Sequence, residues 1–489
     1  MFLVSELLLA LVVYVLVAQF LKQRWMIRRL PPGPTPLPII GNLWSLNFEV
    51  HYETLIQLAK THGNVFTIWL GLTPVIVLNG CQTVRNALIS HSEELSGRPS
   101  TPLSMVFMGD NGIVFSNGQT WKQQRRFGMM AMRNLGLGKK SLEVKIKEVS
   151  QQLLELFRSE NGKAMDPAQP IASCVANVIS SVVFGHCFSS NDKSFQQMLN
   201  AINSVINTRT QWWSRVYDAF PSIMSRLPLP QYEVFVEWEK ARSYVKQEIR
   251  THQENLSDEP QDFIDFYLRQ MEQTTGDPSS PYEEANLVQV VLDLFFAGTE
   301  TTTTTLRWAL LYMTNHPEIQ DKVQKELDSV LGDSQAIFYE DRKKLPYTNA
   351  VIHEIQRYSN IVGLGVPREC VQETTLQGYQ IKKGTAVFPN LSSVLFDPGH
   401  WETPRQFNPE HFLDKEGNFV NREAFLPFGA GHRVCFGEQM ARVEFFIFFS
   451  SLLRSFTFQP PEGIKKLKED FIHAGTMLPH PYKVCAIPR

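Results

Sequence analysis

Residues 428 to 437 of this chain read Phe428-Gly429-Ala430-Gly431-His432-Arg433-Val434-Cys435-Phe436-Gly437. One thiol, Cys435, is flanked by three glycines, two basic side chains and two phenyl rings, and a helical pattern begins at Glu438. Glycines let the backbone bend and approach a partner closely. The N–H groups that open the following helix favour a thiolate over a thiol and donate hydrogen bonds to its sulfur. The stretch predicts a thiolate held against a flat cofactor, with Cys435 as the ligand of an iron.

A lone cysteine also has a simpler interpretation, a buried thiol in a glycine-rich turn. The spacing argues against it, because Phe, Gly, Cys and Gly at these four positions should occur by chance in only ~0.1% of chains of this composition. The spacing resembles the haem-binding signature of the cytochrome P-450 monooxygenases, Phe-x-x-Gly-x-basic-x-Cys-x-Gly. Its fixed positions are occupied by Phe428, Gly431, Arg433, Cys435 and Gly437, with Gly429 on a variable one. The resemblance implies haem b, bound by this loop, with Cys435 as its axial thiolate.

The composition excludes several other classes of protein. The chain has 489 residues, of which 43% are hydrophobic, so it can bury a large core. Its net charge of −2 gives no basic excess that would favour a nucleic-acid partner. Its six cysteines lack CxxC and CxxH spacing, which argues against a disulfide framework or a zinc site and favours a reducing compartment.

The N-terminal segment from Phe2 to Leu21 contains only three strongly polar residues, Ser5, Glu6 and Gln19. As a helix it would be ~30 Å long, enough to cross a bilayer. Basic residues follow it, which places the rest of the chain on the cytoplasmic side by the positive-inside rule. A cleaved secretory signal is the alternative, but no A-x-A-like site follows the apolar run. We therefore expect a transmembrane anchor over residues 1–30 and, after Pro31-Pro32-Gly33-Pro34, a catalytic domain over residues 31–489.

Periodicity predicts a mainly α protein with a small β region. We expect long helices near 119–133, 141–159, 284–315, 317–331 and 438–454. Two hairpins are expected, Val65–Leu70 with Val75–Leu78, and Tyr379–Ile381 with Thr385–Phe388. The resemblance implies the cytochrome P-450 fold, in which a long central helix lies over the haem and the cysteine loop precedes a C-terminal helix.

The segment from Leu292 to Thr302 lies in an apolar run of more than 25 residues, which predicts a helix buried in the core. Threonine hydroxyls at 301 to 305 can bond the carbonyl one turn back and loosen the helix at Ala297-Gly298. A groove there could admit O2 and relay protons, and a polar patch satisfied by back-bonding is the alternative. The segment resembles the family's Ala/Gly-Gly-x-Asp/Glu-Thr helix. The resemblance implies Glu300 as a catalytic acid, Thr301 as the oxygen-activating hydroxyl and Ala297 as a haem contact.

Glu354 and Arg357 lie three residues apart on one helix face, by default as a surface ion pair. In the family, the same Glu-x-x-Arg pair is joined by a basic residue from a Pro-Glu-Arg-Phe-like turn and has a structural role. This chain has Pro409-Glu410-His411-Phe412 there, so the resemblance implies His411 as a weaker third partner.

Haem propionates need cations or N–H donors. The resemblance assigns this role to Arg98, Trp121, Arg125, Arg368 and Arg433, although each arginine alone is typical of a solvated surface. The family's substrate-contacting segments correspond here to Val106, Phe107, Val114, Phe115, Ala297, Thr301, Val362, Val366 and Met477. A pocket of this kind, apolar and without fixed charge, suits long flexible molecules and gives modest specificity.

Two surface features have two interpretations each. Basic residues follow Trp121: Lys122, Arg126, Arg133, Lys139 and Lys140. They form either a solvated face or a docking site for an acidic electron donor. A proline-rich segment carries the hydrophobic residues Phe220, Ile223, Met224, Leu227 and Leu229. It either enters the membrane surface or packs as an internal loop.

The resemblance covers essentially the whole chain and is closest to the vertebrate microsomal family 2, within it to the fatty-acid epoxygenase-like branch. It implies a haem-thiolate monooxygenase of the endoplasmic reticulum membrane that uses O2 and electrons from NADPH. NADPH-cytochrome P-450 reductase would deliver the electrons, with cytochrome b5 as a second donor. Expected substrates are polyunsaturated fatty acids such as arachidonate, and xenobiotics. Two alternatives remain: a haem-thiolate isomerase or synthase acting on peroxides, against which the Glu300-Thr301 pair argues, and a non-catalytic haem- or lipid-binding membrane protein.

Overall fold

A computed structural model describes residues 2–189, 192–208, 212–227, 231–255, 258–332 and 336–489. Contacts within the chain divide it into two compact units. Unit 1 consists of Met1–Pro99, Val362–Pro404 and Glu423–Val434. Unit 2 consists of Ser100–Ile361, Arg405–Arg422 and Cys435–Arg489.

Unit 1 contains the larger sheet and a small apolar core. Its sheet has the strand order Val65–Leu70, Thr73–Leu78, Ala386–Pro389, Arg368–Glu369, and only the pairing of the second and third strands is parallel. Thr374–Leu376 and Tyr379–Ile381 form a separate antiparallel pair. The helices of this unit are Phe2–Ile27, Tyr52–His62, Cys81–Arg85 and Ser392–Leu395, with a π-helical turn at Asn86–Ser90 and a 3-10 turn at Gly431–Arg433. Side chains such as Leu55, Phe66 and Val77 form its core.

The first predicted hairpin is confirmed, with its second strand beginning at Thr73. The second predicted hairpin is wrong, because Tyr379–Ile381 pairs with the preceding strand Thr374–Leu376 and Ala386–Pro389 joins the larger sheet. Gln377 and Gly378 explain the difference, since both have positive φ (48° and 85°). Two such residues form the tight turn that suits a two-residue hairpin connection.

Unit 2 is mostly helical, and helices form most of its core. Its α-helices are Pro102–Met108, Gly118–Asn134, Lys140–Ser159, Ala168–Val183, Lys193–Thr208, Trp212–Ala219, Pro221–Met224, Gln231–Glu254, Phe263–Gln273, Glu284–Asn315, Pro317–Leu331, Pro346–Ser359 and Glu438–Ser455. Two 3-10 turns cover Tyr339–Lys344 and Pro409–Phe412. A three-stranded sheet has the order Ala164–Met165, Val484–Pro488, Phe456–Gln459, and Phe471–His473 pairs with Met477–Pro479.

The five long helices predicted from periodicity are all present, with ends within one residue of the predicted ones. Pro317 begins its helix and Gly332, at φ 52°, ends it, as the punctuation of the sequence predicts. The mainly α fold class is therefore confirmed. The prediction of one catalytic domain over residues 31–489 stays a prediction.

The helix Glu284–Asn315, called the central helix below, has 32 residues, most of them buried. The Thr301 hydroxyl donates to the Ala297 carbonyl oxygen at 2.7 Å, and the Thr305 hydroxyl donates to the Thr301 carbonyl oxygen at 2.8 Å. Threonine back-bonding of this kind is what the sequence predicts. The helix nevertheless continues through Ala297 and Gly298 without a break.

The N-terminal helix Phe2–Ile27 is 26 residues long. Within the part of the chain that the structure describes, no helix is long and apolar enough to cross a membrane. The anchor over residues 1–30 thus stays a prediction. In the proline-rich segment, Phe220 and Ile223 are exposed, and Met224 is buried at the end of a short helix. Pro228, Leu229 and Pro230 lie outside the described residues.

The pair Glu354 and Arg357 is fully buried in unit 2, so the default interpretation as a surface ion pair is wrong. Arg357 Nε and Nη2 each lie 2.7 Å from a different Glu354 carboxylate oxygen. His411 Nδ1 lies 3.3 Å from Glu354 Oε2, and the Asn408 amide donates to Glu354 Oε1 at 2.8 Å. Arg357 also donates to the Gln406 carbonyl oxygen at 3.0 Å. These bonds hold the segment 406–411 on the helix Pro346–Ser359.

Arg357→Gln should destabilise the protein by about 3–5 kcal/mol, because it leaves a buried carboxylate without its cation. Urea denaturation followed by circular dichroism measures the change. Lys325→Gln is the matched control: Lys325 pairs with Asp321 at 2.6 Å, with both side chains more than half exposed. The control should change stability by under about 1 kcal/mol. Equal small effects from both variants would show that the buried pair contributes little.

Candidate functional site

The loop that carries Cys435 leads directly into the helix Glu438–Ser455 in unit 2. Cys435 is exposed as a residue, yet burial by surrounding protein raises the pKa of its thiol. The carboxylate of Glu438 raises this pKa too, whereas the backbone N–H groups of Gly437 and Glu438 and the Arg125 guanidinium lower it. The balance leaves the thiol less acidic than usual. A bound metal cation would supply the positive charge that deprotonates it.

The central helix has one opening in its buried middle. Ala297 is exposed and Gly298 and Thr301 are partly exposed, whereas Thr299 and Glu300 are buried. There is also open space at Gly437, because an added Cβ there would meet no atom within 4 Å. An exposed cysteine, open space at Gly437 and an accessible apolar position on a core helix are what a large flat cofactor requires of unit 2.

The helix Gly118–Asn134 brings Trp121 and Arg125 together one turn apart, with Trp121 buried. The Arg125 guanidinium lies 5.9 Å from the centre of the Phe436 ring, beside the cysteine loop. Burial lowers the pKa of Arg125 and the nearby Cys435 thiolate opposes that shift. A Cβ at Gly128 would lie 3.0 Å from Phe436 Cζ, so glycine there permits the close approach of this helix to the loop.

Three arginines are buried in unit 1. Arg98 Nη1 donates to the carbonyl oxygens of Val366 and Pro367 at 3.0 and 2.7 Å. Arg433 Nε donates to the Ser96 carbonyl oxygen at 2.7 Å, and Arg368 Nη2 donates to the Arg433 carbonyl oxygen at 3.3 Å. Buried guanidinium groups oriented by backbone carbonyls suit anionic carboxylates such as propionates.

The loop that precedes the cysteine includes Phe428 and Gly429, both half-buried in unit 1. Gly429 has φ 72° and open space at its Cβ position. Gly431 also has φ 72°, and a Cβ there would lie 1.7 Å from the Leu88 carbonyl oxygen. Only glycine can therefore occupy position 431 without moving the backbone.

The predicted acid, Glu300, and the predicted hydroxyl, Thr301, form hydrogen bonds with different groups. The Thr301 hydroxyl is directed to Ala297, as described above. The Glu300 carboxylate instead accepts from the Thr476 and Thr304 hydroxyls, at 2.9 and 3.1 Å. Burial raises the pKa of Glu300, and these two hydrogen bonds oppose the rise.

The predicted pocket residues have unequal exposure. Phe107 is buried against Phe235 and Trp238, with ring centres 5.4 and 5.9 Å away, and Met477 is also buried. Val106 is exposed on the short helix Pro102–Met108. Val114 and Phe115 in unit 2 are partly exposed, as are Val362 and Val366 in unit 1.

A group of polar residues on the central helix was missed from the sequence. The buried Asp293 carboxylate accepts from the Ile113 and Val114 amides at 2.7 and 2.9 Å, and from Gln289 at 3.0 Å. Burial raises the pKa of Asp293 to about 6 in spite of these bonds. Asp293 thus fixes the backbone that carries the predicted pocket residues Val114 and Phe115. The signal for it is a Gln and an Asp four residues apart within an apolar run.

The model of the family described as Cytochrome P450 matches residues 31–486 of the chain. The chain belongs to the cytochrome P450 family. It is similar to Cytochrome P450 2J2 of Homo sapiens, with 45% identity over 99% of this chain and 96% of that protein. Cytochrome P450 2J5 of Mus musculus is 42% identical over 99% of this chain and 96% of its own length. Cytochrome P450 2C8 of Homo sapiens is 40% identical over 94% of both chains.

These similarities confirm the family predicted from the cysteine motif. They also confirm the reaction class, so the chain is a monooxygenase that uses haem with a cysteine thiolate ligand, O2 and electrons from NADPH. The residues of unit 2 fit such a group, because they provide an exposed cysteine whose sulfur receives backbone N–H donors. The isomerase and the non-catalytic alternatives are not favoured.

Cys435→Ser should abolish the red-shifted absorption that thiolate ligation gives the ferrous CO complex, because an oxygen ligand donates less electron density. Difference spectra of the purified variant measure this. Cys187→Ser is the control, since Cys187 is another exposed thiol and should leave the spectrum unchanged. A thiolate-type spectrum in the Cys435 variant would show that another residue holds the iron.

Proposed function

We propose that this P450 oxidises long apolar molecules, chiefly polyunsaturated fatty acids such as arachidonate, together with assorted xenobiotics. In this proposal Cys435 is the haem ligand, supported by the exposure of this residue and by the backbone N–H donors to its sulfur. The cations and the indole N–H that hold the propionates are Arg98, Trp121, Arg125, Arg368 and Arg433. Bound haem supplies the activation of O2, for which the electron donation of the thiolate is the decisive feature.

Thr301 is proposed as the hydroxyl that would hold and pass on a proton beside the haem site. It lies at the opening of the central helix, and its proton is held on the Ala297 carbonyl oxygen at 2.7 Å. A hydroxyl rotates easily, so it can exchange this acceptor for one in the open space. Glu300 is proposed as the acid behind it, because burial raises its pKa and keeps a larger share of its carboxyl protonated.

The substrate class follows from the walls of the proposed site. Val106, Val114 and Phe115 in unit 2 are apolar and accessible or partly accessible, and the buried Met477 of the same unit is a further proposed wall. Apolar walls bind mainly by excluding water, and one methylene changes such binding by only about 1–3 kcal/mol. We therefore infer several regioisomeric products, by epoxidation and by hydroxylation near the chain end.

We also propose attachment to the endoplasmic reticulum membrane through residues 1–30, with catalysis on the cytoplasmic side. In support, Val13, Tyr14 and Trp25 are exposed on the N-terminal helix, and the Arg29 guanidinium lies 3.7 Å from the centre of the Trp25 ring. NADPH-cytochrome P450 reductase, with cytochrome b5 as a second donor, is proposed to dock on the helix Gly118–Asn134. The exposed side chains Lys122, Arg126 and Arg133 would attract an acidic partner there.

The experiment that tests this function is product analysis after reconstitution with the reductase and NADPH. We expect epoxides and near-terminal alcohols from arachidonate as a mixture, and oxidation of several drug-like molecules. An arachidate (eicosanoate) arm is a matched control, because it offers the same carboxylate and chain length without double bonds and should give alcohols only. Turnover of a steroid at one position, with both fatty acids untouched, would contradict the proposed substrate class.

Thr301→Ala should lower the product formed per NADPH on the order of tenfold and raise peroxide release, because a proton relay contributes at least this factor. Simultaneous assays of NADPH, peroxide and product measure the ratio. Thr305→Ala is the matched control. The Thr305 hydroxyl also donates to the carbonyl oxygen one turn earlier in the helix, and Thr305 is more buried than Thr301. Identical ratios in both variants would assign Thr301 a structural role.

A further inference from the structure

The C-terminal hairpin of unit 2 consists of the strands Phe471–His473 and Met477–Pro479 and their connection. Two side chains of the central helix hold it by its backbone. Trp308 Nε1 donates to the Met477 carbonyl oxygen at 2.9 Å, and Arg307 Nη2 donates to the Pro479 carbonyl oxygen at 3.4 Å. Contacts to backbone carbonyls do not depend on which residues the hairpin carries.

A third contact depends on a particular hairpin side chain. The Thr476 hydroxyl donates to Glu300 Oε1 at 2.9 Å, and both residues are buried. The same carboxylate oxygen receives the Thr304 hydroxyl from the next turn of the helix. A buried carboxyl group that loses a donor is costly, because no water replaces the lost bond. The direction of the Glu300 side chain therefore depends on Thr476.

Glu300 and Thr476 are each adjacent in sequence to a residue with a proposed role. Glu300 immediately precedes Thr301, the proposed relay hydroxyl, and Thr476 immediately precedes Met477, a proposed wall of the substrate site. The Met477 amide is fixed separately, since it donates to the Ile361 carbonyl oxygen at 2.8 Å. A single hydrogen bond thus joins the proposed acid of the relay to the hairpin that carries Met477.

We propose that Thr476 is a positioning residue, which holds the Glu300 carboxyl group and fixes the Met477 hairpin against the central helix. The inference rests on the proposed function for the roles of Glu300 and Met477. It goes beyond that function by making proton delivery and product pattern depend on the same hydrogen bond. Loss of the Thr476 donor should change both together.

Thr476→Val removes the hydroxyl with little change in volume and tests the inference on the haem-loaded full chain. We expect an unchanged ferrous CO spectrum, a lower yield of product per NADPH and an altered ratio of arachidonate regioisomers. Amide hydrogen exchange at Met477 in the resting protein should accelerate roughly fivefold, the factor that one lost hydrogen bond represents. Thr476→Ser keeps the donor and should restore all three properties. Thr476→Ala replaces the valine variant if that one does not fold.

Two further variants separate positioning from chemistry. Thr314→Val is matched, because Thr314 is buried on the same helix and its hydroxyl bonds only the Leu310 carbonyl oxygen in that helix. It should behave as the wild type does. Glu300→Gln retains an oxygen acceptor, so it should lower the product yield while leaving the exchange at Met477 unchanged.

A Thr476→Val protein that matches Thr314→Val in yield, regioisomer ratio and exchange would overturn the inference. If the wild type forms no product with NADPH and reductase, the proposed function fails. Amide exchange at Met477 then decides the inference alone: faster exchange in Thr476→Val than in Thr476→Ser supports the contact, and equal exchange overturns it.

Discussion

The need to keep the Cys435 sulfur as an anion is the constraint on which the rest of this structure depends. Burial and the Glu438 carboxylate both work against the Cys435 thiolate, and two backbone N–H groups with Arg125 work for it. The protein alone leaves the thiol with a raised pKa, so thiolate and iron stabilise each other only when both are present. Glycines follow from the same constraint. Gly128 lets the helix that carries Arg125 reach Phe436, and Gly437 leaves open space beside the sulfur.

The central helix also carries the cost of burying polar groups, because it places them in an apolar core. Each of its buried carboxylates is stabilised by donors from another segment: Asp293 by the amides of Ile113 and Val114, and Glu300 by Thr476. A carboxylate without such donors would strongly destabilise the folded protein at these positions. These hydrogen bonds tie two segments outside the helix to it, one at Ile113 and Val114 and the other at Thr476. The need of each buried carboxylate for donors thus also fixes part of the tertiary structure.

Local sequence patterns led to correct predictions, whereas contacts between residues distant in the chain were not predicted. The cysteine motif, the five long helices and the ends marked by Pro317 and Gly332 depend on neighbouring residues, so the sequence alone identified them. The failures concern partners distant in the chain. The strand Ala386–Pro389 pairs with Thr73–Leu78, about 300 residues away in sequence, and the Glu354–Arg357 spacing is the same on a surface and in a core. Thr476 gave no signal at all, because one threonine in a hairpin is unremarkable until its partner is known.

The segment at Gly112 shows how a partner distant in the chain holds the backbone next to a proposed substrate contact. Gly112 has φ 85°, and a Cβ there would lie 2.4 Å from Asp293 Oδ2. Any other residue would push away the amides of Ile113 and Val114, which the Asp293 carboxylate needs because burial already raises its pKa to about 6. The glycine and the aspartate are therefore required by each other, whatever the enzyme oxidises. Because Asp293 binds the backbone amides of Ile113 and Val114, the side chain of Val114, a proposed wall of the substrate site, can change without loss of these hydrogen bonds.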